Sequence, residues 1–249
     1  MAWAIEVGKF KNVLKVLSDE GCTDIVLKFD PEKGLNIRQT DPSKIALIDI
    51  SLPKEKLVSY DDIEMHVAIN IDDLLTALKK AKQDEEAWFS VRDTRAIIEL
   101  RGKGTKLFKL PLLDIAALEI PEPKLDFTAK VVMDAKEFKT ALEDAQNYST
   151  NITIEVDGQK EELRMMARGA RGNYEYIADR NSPDTPITGI EITDNAKSTF
   201  KIEDLRNLTK PAEKQIVLWF GKDMPMKAEY QAGDYRVMVL LAPIIETQI

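Results

Sequence analysis

Histidine and cysteine, which most often supply nucleophiles and soft metal ligands, each occur once in this 249-residue chain. His66 lies between Met65 and Val67 in a predicted strand, so a Ser-His-Asp or Cys-His site would have to form around that one imidazole. One thiol and one imidazole also fall short of the ligand set of a usual zinc site. We therefore expect no metal site, a structural role for His66 and a buried, apolar role for Cys22, which has no disulfide partner.

Carboxylates are plentiful, and pairs of them can perform acid–base or metal chemistry. The clusters Asp61-Asp62, Asp72-Asp73 and Asp84-Glu85-Glu86 fall in predicted loops or at helix ends, where a solvated or dipole-compensating role is the simpler interpretation. The glycine-containing stretch 101–105 lacks P-loop spacing and is typical of a hairpin turn. The sequence thus predicts no catalytic residue and no cofactor, and favours a binding protein over an enzyme. An unrecognised carboxylate site is the alternative.

Lysines, in contrast, cluster in two windows that have helical spacing. Residues 9–17 contain three lysines and no acid, and residues 76–82 do the same. The net charge of −8 excludes a nonspecific grip on nucleic acid by the whole surface. A local basic face can still meet phosphates, whereas ordinary solvated helix faces are the alternative. In the second half, cations and acids are mixed on the corresponding helices.

The elements that must position these residues are many strands and four helices. Apolar alternation bounded by turn residues predicts seven strands in each half. Apolar stripes with helical spacing occur at 10–17, 74–81, 138–145 and 205–208. Asn70 and Asp134 precede two of these stripes as N-cap candidates. The pattern indicates an α+β protein.

The chain is also internally repetitive. Phe10 corresponds to Phe138 and Ile71 to Ile202, so both repeats run in the same order at nearly the same spacing. Two similar domains, 1–117 and 127–249, are therefore predicted. Between them lies the segment 118–126, in which two prolines disfavour a helix and favour an extended connector.

Four segments in register with this repeat resemble the proliferating cell nuclear antigen family of sliding clamps. They are Gly34–Asp41 (GLNIRQTD), Leu118–Glu122 (LEIPE), Asp223–Met226 (DMPM) and Leu241–Glu246 (LAPIIE). The resemblance covers essentially the whole chain, and the sequence as a whole is more similar in character to archaeal than to eukaryotic members of the family. It implies a DNA clamp fold in which each domain carries two helices on antiparallel sheets, and three subunits close into a ring. The implied function is that of a DNA polymerase processivity factor in replication and repair.

The resemblance places the helices along the central hole, facing double-stranded DNA without sequence preference. The implied DNA-facing residues are Lys9, Lys11, Lys15, Lys79, Lys80, Lys82, Lys139, Arg206 and Lys210.

The resemblance further implies a pocket for short peptide motifs of DNA polymerase, flap endonuclease, DNA ligase and the clamp loader, replication factor C. The implied pocket residues are Thr40, Lys44, Ile45, Leu47, Ile120, Pro121, Leu125, Pro225, Leu240, Leu241, Ala242, Pro243 and Ile245. Leu125 and Leu240 stand where aromatic residues are frequent, and Lys44 is a cation at the rim. A merely buried terminal strand at 240–245 is the alternative.

Ring closure implies that edge strands of neighbouring subunits pair. One edge is expected at Lys106, Leu107, Phe108, Lys109 and Leu110, and the other at Tyr174, Glu175, Tyr176, Ile177 and Ala178. A homotrimer is favoured, and a heterotrimer with paralogous subunits, in replication or damage signalling, is the alternative. No apolar run is long enough to cross a bilayer, so no membrane partner is expected. The expected location is cytoplasmic and chromosome-associated for an archaeal protein, or nuclear for a eukaryotic one.

Overall fold

The computed structural model describes residues 2–115 and 120–245. Leu118 and Glu119 of the expected connector, the boundary at 117 and Glu246 of the tail motif lie outside the described residues. The chain forms two compact units: Met1–Pro121 with Ala232–Val237, here unit 1, and Glu122–Gln231 with Met238–Ile249, here unit 2.

Unit 1 contains two helices and two groups of antiparallel strands. Its elements are β1 (Trp3–Glu6), α1 (Val7–Asp19), β2 (Asp24–Asp30), β3 (Gly34–Thr40), β4 (Ala46–Leu52), β5 (Met65–Asn70), α2 (Ile71–Leu78), β6 (Glu86–Arg92), β7 (Arg95–Arg101) and β8 (Thr105–Pro111). A short 3₁₀ turn at Lys54–Lys56 follows β4. The strands pair in the orders β1-β6-β7-β8 and β4-β3-β2-β5.

Unit 2 repeats this order, with five strands instead of four between its two helices. Its elements are β9 (Ala129–Asp134), α3 (Ala135–Ala145), β10 (Asn151–Asp157), β11 (Glu162–Gly169), β12 (Gly172–Asp179), β13 (Ile187–Ile192), β14 (Ala196–Lys201), α4 (Ile202–Thr209), β15 (Glu213–Phe220) and β16 (Met226–Ala232). They pair in the orders β12-β11-β10-β14 and β13-β9-β15-β16. The last strand, β17 (Tyr235–Leu241), is divided between the units at Val237. The α+β architecture predicted from the sequence is confirmed.

The predicted helical stripes are the buried faces of the helices. In α1, Phe10, Val13, Leu14 and Leu17 are buried, because a 3.6-residue period places them on one side. The Asn70 side chain accepts hydrogen bonds from the Asp72 and Asp73 amides at 3.0 and 3.2 Å. These bonds satisfy two amides at the start of α2 that have no intrahelical partner.

Asp134 caps α3 in the same way. Its carboxylate accepts from the Lys136 and Glu137 amides at 2.8 and 3.0 Å. Both N-caps predicted from the sequence are therefore confirmed. Glu6 and Lys201, which precede α1 and α4, make no side-chain cap.

An aromatic cluster fills the core of unit 1. The ring centroids of Trp3 and Phe29 lie 5.4 Å apart, and those of Phe29 and Phe89 lie 5.5 Å apart. Phe10 extends the cluster from α1, stacking on Tyr235 at 5.9 Å. Aromatic pairs at these separations add to the stabilisation from area burial alone, so this cluster anchors α1 on its sheet.

Candidate nucleic-acid interface and docking surfaces

The basic face of unit 1 is carried by α1 and by the residues that follow α2. Lys9 and Lys15 are exposed on α1, opposite its buried stripe. Lys79, Lys80 and Lys82 are exposed just beyond Leu78, where α2 ends. Since α1 packs against α2, the two groups of lysines belong to one helix pair. This pair presents flexible cations suited to phosphate contacts that carry no sequence information.

Lys11 differs from the other cations of this pair. It is half-buried, and its Nζ donates a hydrogen bond of 2.7 Å to the carbonyl of Ala81. The bond joins α1 to the segment that follows α2.

The helix pair of unit 2 repeats this arrangement. Lys139 on α3 is half-buried, and its Nζ donates to the carbonyls of Ala212 and Lys210 at 2.8 and 3.4 Å. Arg206 on α4 donates to the side-chain oxygen of Gln146, which ends α3. Lys11, Lys139 and Arg206 therefore bond to the end of the other helix of their unit or to the segment that follows it. The other six residues expected to face DNA are exposed.

Acidic residues accompany the cations of unit 2. Lys136, Lys139, Arg206 and Lys210 line an open groove together with Glu143. At the start of α4, Lys201 pairs with Glu203 at 2.9 Å and Asp204 at 3.2 Å. The hydrogen bond and charge of Lys201 lower the pKa of the Glu203 carboxyl, so this acid stays ionised. Within the groove itself, Glu143 reduces the positive potential.

The docking residues expected in unit 1 lie around a tight turn between β3 and β4. The Asp41 carboxylate accepts from the amides of Ser43 and Ala46 at 2.9 and 2.7 Å. Lys44 has a φ of 59°, in the left-handed region. Ile45 follows with 41% of its surface exposed, whereas Leu47 is buried. The turn thus displays one cation and one aliphatic side chain to solvent.

Ile120 of the expected connector is held against β3. Arg38 forms an ion pair with Asp49, and its Nη1 donates to the Ile120 carbonyl at 3.0 Å. Asn36 donates to the other Asp49 oxygen at 2.7 Å. Sequence patterns alone did not single out these three polar residues. Their alternation on one face of β3 and β4 was the available signal.

Pro121 ends the first segment of unit 1, and the other expected docking residues belong to unit 2. Ser198 donates to the Gly221 carbonyl at 3.1 Å and accepts from the Met224 amide at 3.2 Å, fixing the loop before the half-buried Pro225. Lys227 pairs with Glu122 at 3.0 Å. Leu125 lines the adjacent open groove.

The tail of unit 2 changes from buried to exposed along its length. Leu240 and Leu241 are buried in β17. Ala242 and Pro243 are half-buried, and Ile245 is 84% exposed. The Ile244 amide donates to the Thr199 carbonyl at 2.7 Å, which ties this tail to β14. The apolar side chains at its end are therefore displayed from a fixed backbone.

The residues expected at subunit contacts lie on two edge strands. Among the described strands, none pairs with the outer edge of β8 or of β12. Leu107 is 53% exposed on β8, and Ile177 is 47% exposed on β12. Burial and the nearby Glu137 raise the pKa of Tyr176 on β12 to about 12, so its hydroxyl stays protonated at neutral pH. Open edges with exposed aliphatic side chains are suited to pairing with another strand.

The single histidine and the single cysteine, which could have served in catalysis, lie in different surroundings. His66 is exposed and pairs with Glu64 at 2.6 Å, and Cys22 is buried.

Glu85 does not have the solvated position that the sequence predicted for the carboxylates of its cluster. It is buried, accepts from the Lys82 amide at 3.2 Å and lies 3.5 Å from the Lys106 ammonium. The Gly102 amide bonds to the Gly104 carbonyl in the β7–β8 connection, confirming the predicted hairpin turn.

A family model described as the C-terminal domain of proliferating cell nuclear antigen matches residues 119–245. The chain belongs to the proliferating cell nuclear antigen family. A DNA polymerase sliding clamp of Thermofilum pendens is 33% identical over 220 residues, which cover 86% of this chain and 87% of that protein. The sliding clamp of Methanococcus vannielii is 28% identical over 246 residues and covers 96% of each chain.

Solved structures of the family share the fold. PCNA of Thermococcus kodakaraensis superimposes with a TM-score of 0.86 at 24% identity, covering 98% of this chain and 99% of that chain. PCNA of A. fulgidus, with the C-terminal region of FEN-1 bound to it, gives 0.87 at 24% identity over 99% of each chain. In the part of the chain that is described, no helix is long and apolar enough to cross a membrane.

Proposed function

We propose that this chain is a subunit of a DNA polymerase sliding clamp, which encircles duplex DNA and tethers replication and repair enzymes. The observation that carries the proposal is the basic face of α1 and α2 in a chain whose net charge is −8. Exposed cations on a helix pair provide phosphate contacts without base contacts, and these permit sliding. A closed ring retains DNA topologically, so high affinity is not required.

The proposed DNA surface contains all nine residues inferred from the family resemblance. Lys9, Lys15, Lys79, Lys80, Lys82 and Lys210 are exposed and supply the phosphate contacts. Lys11, Lys139 and Arg206 lie on the same helix pairs.

We further propose the domain limits 1–117 and 127–249, with 118–126 as the connector. The location is on the chromosome, and the role is binding rather than catalysis.

The two open edges support a ring built from copies of this chain. On β8, Phe108 is in register with the buried Ile98, and on β12, Tyr176 is in register with the buried Met165. Both therefore point to the core side of their sheets. Leu107 and Lys109 on β8, like Glu175 and Ile177 on β12, point to the opposite side.

In one antiparallel register, β8 of one copy and β12 of the next place side chains of complementary character opposite one another. It places Leu107 opposite Ile177, Lys109 opposite Glu175, and Phe108 opposite Tyr176. A shift of two residues in either direction places Leu107 opposite an acid, Glu175 or Asp179. A one-residue shift would reverse the faces. Apolar and oppositely charged cross-strand pairs stabilise sheets, so this register favours a homotrimer.

The docking surfaces support partner recognition through short peptide motifs. Ile45 in unit 1 and Ile245 in unit 2 display aliphatic side chains on anchored backbone, which suits apolar anchors of a peptide. We propose DNA polymerase, flap endonuclease, DNA ligase and the clamp loader as the partners. The C-terminal region of FEN-1 bound to PCNA of A. fulgidus supports this class of ligand.

The deciding experiment measures the mass of the protein in solution and its retention on circular and linear DNA. Light scattering of the purified protein is expected to give three times 28.1 kDa across a dilution series extending below micromolar. Protein loaded onto nicked circular DNA is expected to remain bound in high salt and to be lost when the DNA is linearised. A monomeric mass would instead require paralogous partner subunits. Equal loss from circular and linear DNA would contradict encirclement.

A charge-exchange experiment tests the register. Lys109→Glu and Glu175→Lys should each weaken the trimer, because each places like charges opposite one another. The double variant should restore trimer mass at concentrations where both single variants dissociate. Failure of the double variant to do so would refute the register, while encirclement by the unmodified protein would still be tested separately.

A further inference from the structure

We propose that Lys11 and Lys139 are positioning residues. Each links the first helix of its unit to the end of the second and thereby fixes the backbone that displays the phosphate-contacting lysines. This inference rests on the proposed clamp function, since it divides the proposed DNA surface into residues that contact phosphates and residues that hold them.

The two contacts are repeats of one another. Lys11 directly follows Phe10, and Lys139 directly follows the repeat-equivalent Phe138. Their acceptors are equally placed, because Ala81 and Ala212 each lie two residues beyond the residue that caps the end of the second helix. The ammonium-to-carbonyl distances are 2.7 Å to Ala81 and 2.8 Å to Ala212. The same bond in both units marks it as a property of the repeated fold.

Helix ends explain why such a bond is useful. A buried backbone carbonyl beyond the end of a helix lies outside the intrahelical ladder and needs another hydrogen-bond partner. Ala81 lies three residues beyond Leu78, the last residue of α2, and is buried. Lys11 supplies a cation from the neighbouring helix, and charge-assisted hydrogen bonds are the stronger kind.

The position of the acceptor gives the contact its effect on the surface. Ala81 is buried between the exposed Lys80 and Lys82, so a bond to its carbonyl restrains the segment that carries both. In unit 2, Lys139 bonds to the carbonyl of the exposed Lys210 as well as to that of Ala212. Lys15, one turn beyond Lys11 on α1, is exposed and offers a matched cation on the same helix.

The test compares Lys11→Met with Lys15→Met in the full-length ring. Methionine keeps an unbranched side chain and removes the charge. The two readouts are hydrogen exchange at the Ala81 amide, which donates to the Leu78 carbonyl at 3.0 Å, and the salt dependence of binding to short linear duplex DNA. Linear DNA measures phosphate contacts without loading.

Lys11→Met should speed exchange at Ala81 at least tenfold and reduce the salt slope by less than Lys15→Met does. Lys15→Met should leave exchange unchanged and reduce the slope by about 0.9 for each phosphate that the side chain no longer neutralises. Lys139→Met should act in unit 2 as Lys11→Met does in unit 1, with faster exchange at Ala212.

Two results would overturn the inference. They are a slope reduction by Lys11→Met equal to that of Lys15→Met, or unchanged exchange at Ala81. Failure of the DNA assignment has a different signature, in which neither variant changes the slope while Lys11→Met still speeds exchange. Loss of folding is checked by ring mass, and the Lys139→Met variant provides an independent repeat of the measurement.

Discussion

The helix pairs of the two units share a fold but differ in surface charge. In unit 1, three lysines occupy 9–17 and three occupy 76–82, with no acid in either window. In unit 2, Glu137 and Glu143 accompany the cations of α3. The second helices do not differ in this way, because α2 and α4 each begin with two acids. The buried stripes are repeated in both. Packing therefore constrains the inner face of each helix, while the exposed face is free to vary in charge.

The caps differ between the units as well. In unit 1 the second helix is capped, by Asn70, whereas in unit 2 the first helix is capped, by Asp134. Each unit thus has one helix with a side-chain cap and one without. Since most helical stability in proteins comes from packing, an apolar stripe suffices to place the uncapped helix.

The largest expected difference between the units lies in their cores. Phe10→Ala and Phe138→Ala each remove a fully buried ring and should cost about 3–5 kcal/mol of unfolding free energy. Phe10→Ala should cost about 1 kcal/mol more, because it also removes the edge-to-face contact with Phe89 and the stacking on Tyr235. Urea unfolding measures both, with Phe→Leu as the control at each site. A greater destabilisation at Phe138 would contradict the comparison.

The difference in surface charge should appear in DNA binding. Reversing Lys15 and Lys80 to glutamate in unit 1 should weaken binding to linear duplex at least tenfold, about 1.4 kcal/mol. The matched pair in unit 2, Lys136→Glu with Lys210→Glu, should have a smaller effect, because acids already lower the potential there. Fluorescence anisotropy at fixed salt compares the variants. Equal effects would mean that the two helix pairs face DNA equivalently.

The caps provide a smaller contrast within each unit. Asn70→Ala and Asp134→Ala should each cost about 1 kcal/mol, since two helix amides lose their acceptor. Glu6→Ala, which removes no cap, should change the unfolding free energy by less than about 0.5 kcal/mol. Chemical denaturation measures these changes, and Asn70→Asp, which retains an acceptor, serves as the control. Equal destabilisation at Glu6 and Asn70 would contradict the assignment.

A last contrast is confined to alkaline pH and reports on unit 1, which holds the chain's single cysteine. Burial, followed by the charges of Asp41 and Glu20, raises the pKa of the Cys22 thiol from 9.0 to about 11. The unfolded thiol ionises first, so its contribution to stability is present below pH 9 and is lost as pH rises to about 11.

The control for this titration is Cys22→Ala. The variant should lose less stability than the unmodified chain between pH 9 and 11, with the difference between the two constant at neutral pH. Urea unfolding at each pH measures it. Parallel pH profiles would show that the thiol does not titrate differently in the folded state.

Sequence reasoning was most successful where local periodicity carries the signal. The buried faces of α1 and α3 follow from Phe10, Phe138 and the residues spaced after them. It missed β1, β13 and β14, because these strands are short or polar at alternate positions and their pairing partners lie far away in the chain. It also assigned Glu85 to solvent, because burial of a carboxylate depends on the amide and ammonium that the fold brings to it.

The repeat, the helix stripes, the two N-caps and the family could be predicted from the amino-acid sequence alone, since each depends on residue types at short or regularly repeated spacing. Which cations hold the backbone depends instead on tertiary packing. Lys11 meets the Ala81 carbonyl across 70 residues, and Arg38 meets the Ile120 carbonyl across 82. A long cationic side chain bonds to whichever unpaired carbonyl packing brings within reach, and that proximity has no local signature in the chain.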